Sequence, residues 1–258
     1  MNLELDGRRV LVTGGSKGIG LACARAFLAE GARVAIASRS QANLALARAE
    51  LGEVTTFAAD FTDAAAARSV VDRVEAELGP LDVLVTSAGA ARRTPPDELD
   101  PAAWRAAMDA KFFTYVNVID PVVKLMAARG RGAIVNIIGS GGKVASPIHL
   151  PGGAANAALM LATVGLANAY AAKGVRVVGI NPGLTRTTRV AEGMQAEAAR
   201  LGISEADALK RSVDRIPLGR LAEAEEIAAA VVFAASPRAS YLTGTIITMD
   251  GASAPVVV

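Results

Sequence analysis

A glycine-rich turn near the amino terminus has the residue types and spacing that bind a phosphate group. The turn occupies residues 13–20, TGGSKGIG, between an apolar run at residues 10–12 and an amphipathic run at residues 21–30. A glycine turn between a strand and a helix brings free backbone N–H groups and the positive end of the helix dipole to a pyrophosphate. The pattern predicts a dinucleotide site, with a plain loop as the alternative. The predicted contacts are Gly14, Ser16, Lys17, Gly18, Ile19 and Gly20.

Apolar runs alternate with helical patterns along the chain, and this order predicts how the turn is positioned. Strands are expected at residues 9–13, 33–37, 53–58, 83–86, 133–138, 175–180 and 245–248, and helices at residues 18–30, 41–51, 63–78, 101–128, 153–171 and 224–235. Runs this apolar suit strands buried on both faces of a parallel sheet. We predict an α/β fold over residues 1–258: one Rossmann-type, doubly wound domain of about seven strands with helices on both faces.

One segment, residues 185–216, interrupts this alternation because its helical pattern is more highly charged. It follows the sixth strand, and ligands of open α/β sheets bind at the carboxyl ends of the strands. The segment is therefore placed to act as a lid-like helical insertion. The alternative is a solvated helical pair that only shields the sheet edge.

The composition excludes several classes of function. A formal net charge of +2 and 4% aromatic residues argue against a nucleic-acid partner or an anionic membrane surface. A single cysteine, Cys23, and a single histidine, His149, leave no internal disulfide and no thiolate–imidazole metal site. The first six residues have neither a basic flank nor an apolar core, so no signal peptide is expected. We expect a cytoplasmic protein.

A second stretch, residues 144–172, carries no Lys, Arg, Asp or Glu and is long enough to span a bilayer. It contains Pro147, Pro151 and the pair Gly152-Gly153, together with many alanines. These residues favour a helix buried in a protein interface, so no membrane partner is predicted.

Several further motifs occur in the order typical of the short-chain dehydrogenase/reductase family, which the chain resembles over nearly its whole length. They are the TGxxxGxG turn, Asp60-Phe61 after the third strand, Ser87-Ala88-Gly89, Asn181-Pro182-Gly183 with Thr187, Tyr241-Leu242-Thr243-Gly244 and Asp250-Gly251. The resemblance implies that Asp60 and Phe61 contact the adenine. It also implies that Ser87, Ala88 and Gly89 lie beside the cofactor and that Pro182, Gly183 and Thr187 hold the nicotinamide amide.

The residues after the second strand predict which nicotinamide cofactor binds. An NAD site usually has a carboxylate there for the ribose 2′-hydroxyl, whereas an NADP site needs cations for the 2′-phosphate. Here Ser38 and Arg39 occupy this position, and Lys17 in the turn supplies a second cation. The predicted cofactor is NADP(H). The alternative is that Arg39 and Lys17 are ordinary surface cations.

The resemblance also implies a reaction, hydride transfer at a carbonyl carbon, for which the family uses a serine, a tyrosine, a lysine and an asparagine. Family spacing places Gly139 at the serine, Gly152 at the tyrosine, Asn156 at the lysine and Lys111 at the asparagine. All four positions are changed, so we predict an atypical member. Tyr170 and Lys173 have the wrong spacing and lie about 20 Å along the helix axis from Asn156.

Four residues are candidates for the missing functions. Ser140 replaces the serine if the register shifts by one residue. Lys111 is predicted to reach into the volume emptied by Gly152-Gly153, where burial would lower its pKa and let it donate a proton near neutral pH. The alternative is that it points to solvent or to an acidic neighbour. His149 titrates near neutrality but could simply be packed, and Tyr115 is a weaker candidate that could be core.

These residues predict an NADP(H)-dependent oxidoreductase of a small carbonyl, alcohol or unsaturated compound with a non-standard proton donor. Two alternatives stay open: a catalytically silent NADP(H)-binding sensor or partner subunit, and a non-redox enzyme that uses the emptied pocket. The expected partners are a small-molecule substrate and the chain itself. Alanine-rich faces at residues 101–128 and 153–171 predict a homodimer or homotetramer.

Overall fold

The computed structural model describes residues 1–89 and 91–256. Seven parallel strands form one sheet in the order β3-β2-β1-β4-β5-β6-β7. The strands are β1 Arg9–Thr13, β2 Arg33–Ser38, β3 Thr55–Ala58, β4 Val83–Thr86, β5 Gly132–Ile137, β6 Val175–Pro182 and β7 Ile246–Met249. The order reverses between β1 and β4, which places a ligand crevice at the carboxyl ends of these two strands. The predicted single doubly wound domain is confirmed.

Nine α-helices occur in the described part of the chain. They are α1 Gly18–Ala29, α2 Gln41–Leu51, α3 Ala64–Leu78, α4 Pro101–Ala107, α5 Thr114–Ala128, α6 Leu150–Tyr170, α7 Thr188–Leu201, α8 Glu205–Asp214 and α9 Ala224–Ala235. On one face of the sheet, Phe27 of α1 and Val231 of α9 belong to the same buried cluster. On the other face, Val74 of α3, Val118 of α5 and Leu159 of α6 share a second cluster. Both faces of the sheet are therefore covered by apolar helix surfaces, as the uninterrupted apolar strands require.

The helix predicted at residues 101–128 is not continuous. A wide π turn, Met108–Phe113, separates α4 from α5. The Thr114 hydroxyl donates to the backbone carbonyls of Ala110 and Lys111, at 3.2 and 3.0 Å. A Cβ on Gly89 would overlap the Ala110 carbonyl, so the loop after β4 packs directly on this turn. π turns are frequent at functional sites, and this one contains Lys111.

Other element boundaries differ from the predictions by up to three residues. β3 begins at Thr55 rather than residue 53. Gly52 caps α2 with a φ of +79°, and the Val54 N–H donates to the Gly52 carbonyl, so the chain is still turning at residues 52–54. α6 begins at Leu150, three residues earlier than predicted. β6 extends to Pro182 because β7 pairs with it there.

The uncharged stretch of the sequence corresponds to Pro147–Lys173, whose 27 residues and mean hydropathy of 1.4 would suffice to cross a membrane. The helix α6 within this stretch packs instead against the sheet, with Ala155, Leu159 and Ala167 buried. Length and composition of this kind are shared by the core helices of soluble proteins.

The segment predicted as an insertion, residues 185–216, contains α7 and α8. The two helices pack on each other through a small apolar cluster of Met194, Ala198 and Ala208. The segment starts directly beyond the carboxyl end of β6, at an isolated bridge between Thr185 and Ala222. This position puts α7 beside the ligand crevice.

Candidate functional site

The glycine turn after β1 forms a tight cradle with no room for a side chain at Gly14 or Gly20. Gly14 has a φ of +71°, and a Cβ on it would lie 2.7 Å from the backbone N of Ala88. A Cβ on Gly20 would overlap the Gly14 carbonyl, so α1 starts in close contact with the turn. Lys17 is the N-cap of α1, and the free N–H groups of the first helical turn follow it. A phosphate is stabilised there by these donors and by the helix dipole.

A cleft of about 870 Å³ extends from this cradle along the carboxyl ends of the strands. Fifteen of the sixteen predicted cofactor contacts line it, and the exception, Gly20, supports the turn from behind. The lining includes Gly14, Ser16, Lys17, Gly18, Ile19, Ser38, Arg39, Asp60, Phe61, Ser87, Ala88, Gly89, Pro182, Gly183 and Thr187. The predicted catalytic candidates Lys111, Ser140 and His149 line the other end of the same cleft. The structure thus brings both predicted groups into one site.

Two cations mark the end of the cleft near β2. Lys17 and Arg39 are exposed, and neither forms an ion pair within 4 Å with a residue that the structure describes. Nearby, Asp60 accepts hydrogen bonds from the backbone N and hydroxyl of Thr62, at 3.0 and 2.9 Å. The Thr62 backbone bond, with the Arg39 charge, holds the pKa of Asp60 below its usual value. The residue at the end of β2 that would contact the cofactor ribose is Ser38, not a carboxylate. This end of the cleft therefore suits a ribose 2′-phosphate better than a 2′-hydroxyl.

Lys111 is buried in the cleft wall, with 8% of its surface exposed. Its Nζ donates to the Tyr115 hydroxyl at 2.8 Å and to the Ile137 carbonyl at 3.2 Å, and lies 4.4 Å from the centre of the Tyr115 ring. The π turn directs this side chain toward the end of β5. A side chain pointing to solvent, the alternative considered for Lys111, is not what the structure shows.

Burial shifts the pKa values of the three proton-donor candidates in different ways. It lowers the pKa of Lys111 to about 7, with a further contribution from the charge of Arg189. It raises the pKa of Tyr115, whose hydroxyl donates to the Ile137 carbonyl. Burial and the charges of Arg93, Arg189 and Lys111 lower the pKa of His149 to about 4. Near neutral pH, therefore, Lys111 is partly protonated, whereas His149 is neutral.

The volume beside Gly152 was expected to be empty, and this expectation is wrong. A Cβ on Gly152 would overlap the His149 ring, so the imidazole occupies the space that a larger residue at position 152 would need. The Nδ1 atom of His149 is buried without a hydrogen-bond partner among the described residues. Because Gly152 has no side chain, the histidine lies inside the site rather than outside it.

Asn156 and the glycines of the loop after β5 complete this end of the cleft. Asn156 is 5% exposed, and a Cβ on Gly139 would lie 3.2 Å from its Nδ2. The Oδ1 of Asn156 has no hydrogen-bond partner among the described residues. Ser140 starts a short 3₁₀ turn, Ser140–Gly142, beside it. Two buried polar atoms without a partner among the described residues, His149 Nδ1 and Asn156 Oδ1, thus lie at this end of the cleft.

Two arginines were missed by the sequence reasoning. Arg93, in the loop after β4, and Arg189, at the start of α7, both line the cleft. In the sequence, Arg189 was distinguished only by belonging to the charged segment predicted as an insertion. Arg93 was distinguished only by its position after a predicted strand. Tyr170 and Lys173, by contrast, do not line the cleft, and Lys173 lies over the Tyr170 ring, with its Nζ 5.4 Å from the ring centre.

Known protein families and relatives resemble the chain over nearly its full length. A family model described as enoyl-(acyl carrier protein) reductase, adh_short_C2, matches residues 14–252. Among curated proteins, galactitol 2-dehydrogenase (L-tagatose-forming) of Cereibacter sphaeroides is 36% identical over 252 residues, which cover 96% of this chain and 95% of that protein.

Solved structures of similar proteins have the same fold. An actinorhodin polyketide ketoreductase with NADPH superposes with a TM-score of 0.93 at 29% identity, over 96% of this chain and 98% of that one. The L-sorbose reductase of Gluconobacter frateurii, complexed with NADPH and L-sorbose, gives a TM-score of 0.88 at 29% identity, over 97% and 98% of the two chains.

Proposed function

The chain belongs to the short-chain dehydrogenase/reductase family, and we propose that it is an NADP(H)-dependent oxidoreductase of a small alcohol, carbonyl or unsaturated compound in which Lys111 replaces the usual proton donor. The cofactor assignment is supported by the glycine cradle, by Lys17 and Arg39 at the β2 end of the cleft, and by the NADPH bound in two structural neighbours. The substrate assignment is supported by relatives that act on polyols or ketoses.

The observation that carries the proposal is the buried Lys111 at the far end of the cofactor cleft, with a pKa of about 7. A general acid is most effective when its pKa lies near the working pH. A nicotinamide cofactor held by this cleft would supply or accept the hydride at the reacting carbon. In reduction, the Lys111 ammonium donates its proton to the substrate oxygen and becomes a neutral amine that solvent reprotonates. In oxidation, the neutral amine takes the hydroxyl proton.

The other groups at this end orient the substrate oxygen. The neutral His149 ring and the Ser140 hydroxyl both reach the cleft wall, and each can hold the oxygen by a hydrogen bond without changing its own charge. Tyr115 holds Lys111 in place, because its hydroxyl accepts from Nζ and donates to the Ile137 carbonyl. We assign Lys111 the proton transfer, His149 and Ser140 the orientation of the substrate, and Tyr115 a positioning role.

Two further features belong to the proposal. The segment of α7 and α8 acts as a lid, because it packs largely on itself and borders the cleft. The chain assembles with itself through α4–α6, where Trp104, Phe113, Leu161 and Val164 are 40 to 76% exposed. We expect this assembly, a homodimer or homotetramer, in the cytoplasm.

The direct test is consumption of NADPH with a panel of small ketones, aldehydes and unsaturated compounds, preceded by a measurement of NADPH affinity. Turnover with any member supports the oxidoreductase. Micromolar NADPH binding without turnover would indicate the silent binding protein, and absence of NADPH binding would indicate the non-redox enzyme.

A further inference from the structure

Arg93 and Arg189 are the two cations in the cleft that neither the cofactor cradle nor the proton transfer uses. Both line the cleft, Arg93 half-buried and Arg189 exposed. Within the part of the chain that the structure describes, neither side chain forms a hydrogen bond or an ion pair within 4 Å. A half-buried guanidinium with five N–H donors and no acceptor costs free energy.

The two guanidinium groups face the same volume. A Cβ on Gly193 of α7 would lie 3.2 Å from Nη2 of Arg93, so the guanidinium of Arg93 rests on the helix backbone at that glycine. Arg189 precedes Gly193 by four residues and therefore lies on the same face of α7. The charge of Arg189 acts on Lys111 and His149, and that of Arg93 acts on His149. The pair is thus next to the reacting end of the cleft.

Three carboxylates lie near this volume, and in the described part of the chain none of them forms an ion pair within 4 Å with Arg93 or Arg189. Glu197, one turn beyond Gly193, is held by two hydrogen bonds from Arg200, at 2.6 and 3.0 Å. Asp250 accepts from the backbone N of Ala252 and of Ala254, both at 3.0 Å. Glu192 is exposed at the edge of the cleft. Both arginines therefore keep donors directed at the cleft.

We propose that Arg93 and Arg189 bind an anionic group of the substrate, a carboxylate or a phosphate, and so select an anionic carbonyl or hydroxy compound. This inference rests on the proposed oxidoreductase function. The planar guanidinium matches a carboxylate or phosphate in a bidentate geometry. Because Arg189 belongs to α7, the anion also draws the lid segment toward the substrate. The cofactor phosphates are matched separately, by the turn at Gly14 and by Lys17 and Arg39 at the other end of the cleft.

The test compares matched probes with and without the anionic group. The carboxylate pair is 4-oxopentanoate and 4-oxopentanamide, and the phosphate pair is dihydroxyacetone phosphate and dihydroxyacetone. With NADPH, we expect kcat/KM to favour the charged member of at least one pair. Because a charge-assisted hydrogen bond contributes about 1.5–3 kcal/mol, Arg93→Leu and Arg189→Leu should each reduce that preference about 10- to 100-fold. The preferred pair identifies the anion.

Matched controls separate this role from general charge effects. Arg92→Leu removes an exposed arginine beside Arg93 that does not line the cleft, and Arg186→Leu removes the arginine paired with Glu223 before α7. Both should retain the preference, and all four variants should keep NADPH affinity. Weaker NADPH binding in Arg189→Leu with an unchanged preference would assign Arg189 to the cofactor and overturn the proposal, as would equal rates within both pairs.

If none of the four probes is turned over, the wider panel still decides the proposed function, and binding decides the inference. Calorimetry of the NADP⁺-loaded protein with 4-hydroxypentanoate and with glycerol 3-phosphate then replaces kinetics. Binding that is lost in Arg93→Leu and kept in Arg92→Leu supports the anion site. Equal binding in the two variants, or no binding to the unaltered protein, overturns it.

Discussion

The two ends of the cleft differ in the atoms that form them, and we call them the backbone end and the side-chain end. At the backbone end, which holds the turn after β1, the phosphate cradle is formed by backbone groups that glycines such as Gly14 hold in place, with Lys17 and Arg39 beside it. At the other end, the surface is made of the side chains of Lys111, His149 and Asn156, which come from a π turn, a loop and a helix. Backbone geometry constrains sequence tightly, whereas a side-chain site can change its chemistry through a few substitutions. The family fold is therefore compatible with a new proton donor.

The largest effect should come from the side-chain end, with Lys111→Met. Loss of a general acid typically lowers turnover about 10²- to 10⁴-fold. In the proposed mechanism reduction uses the Lys111 ammonium, so kcat/KM of the unaltered protein for reduction should fall as the pH rises through about 7, whereas kcat/KM for oxidation should rise there. Lys111→Met should lose this inflection in both directions. The measurement is the pH dependence of both reactions.

Lys173→Met provides the matched control, because Lys173 lies over Tyr170 outside the cleft. It should leave the rate and the pH profile unaltered. An unchanged inflection in Lys111→Met would remove Lys111 from the proton transfer.

At the backbone end, Arg39→Asp should weaken NADPH binding and improve the relative affinity for NADH. Loss of one charge-assisted contact to the 2′-phosphate corresponds to about 10- to 100-fold in affinity. The added carboxylate can accept from the ribose hydroxyls of NADH. Titration with both cofactors measures the ratio of affinities, and Arg48→Asp, an exposed arginine on α2 outside the cleft, is the control. An unaltered ratio in Arg39→Asp would contradict the NADP(H) assignment.

The same contrast explains what the sequence could predict. The strand–helix alternation and the glycine spacing report backbone requirements, so the seven-stranded sheet and the place of the glycine turn at the cleft followed from them. The π turn at Met108–Phe113 has no such signature, because its residues would suit a continuous helix. The position of His149 depends on Gly152 and on the loop path, and the pairing of Arg93 with Arg189 depends on how α7 packs. Such tertiary effects are not encoded in local patterns.

A smaller effect should follow from Gly152→Ala, which tests whether Gly152 makes room for His149. Alanine normally stabilises a helix relative to glycine by about 0.5–1 kcal/mol, but here the new Cβ overlaps the imidazole. We expect Gly152→Ala to lower both Tm and kcat/KM. In a His149→Ala background the overlap is gone, so the same substitution should raise Tm. The double-mutant cycle measures the coupling, and additive effects would show that the ring does not depend on Gly152.

The last expected effect is on stability, and it follows from the lowered pKa of Lys111 in the folded chain. In the unfolded chain the pKa of Lys111 returns to its ordinary value of 10.5, so between about pH 7 and 10 the unfolded state binds more protons than the folded state. Stability from this group therefore rises with pH across that interval.

Below about pH 7 the folded protein bears the full cost of burying the ammonium, a cost that Lys111→Met removes. The Tm advantage of Lys111→Met over the unaltered protein should be greatest at pH 6 to 7 and shrink by pH 9. Scanning calorimetry of both proteins at matched pH measures this difference in Tm. The pKa shifts of Cys23, Tyr115 and His149 affect both proteins, so their contributions cancel to first order. An advantage that is constant with pH would mean that Lys111 stays charged up to pH 9, so its pKa would not lie near 7 as the proposed mechanism requires.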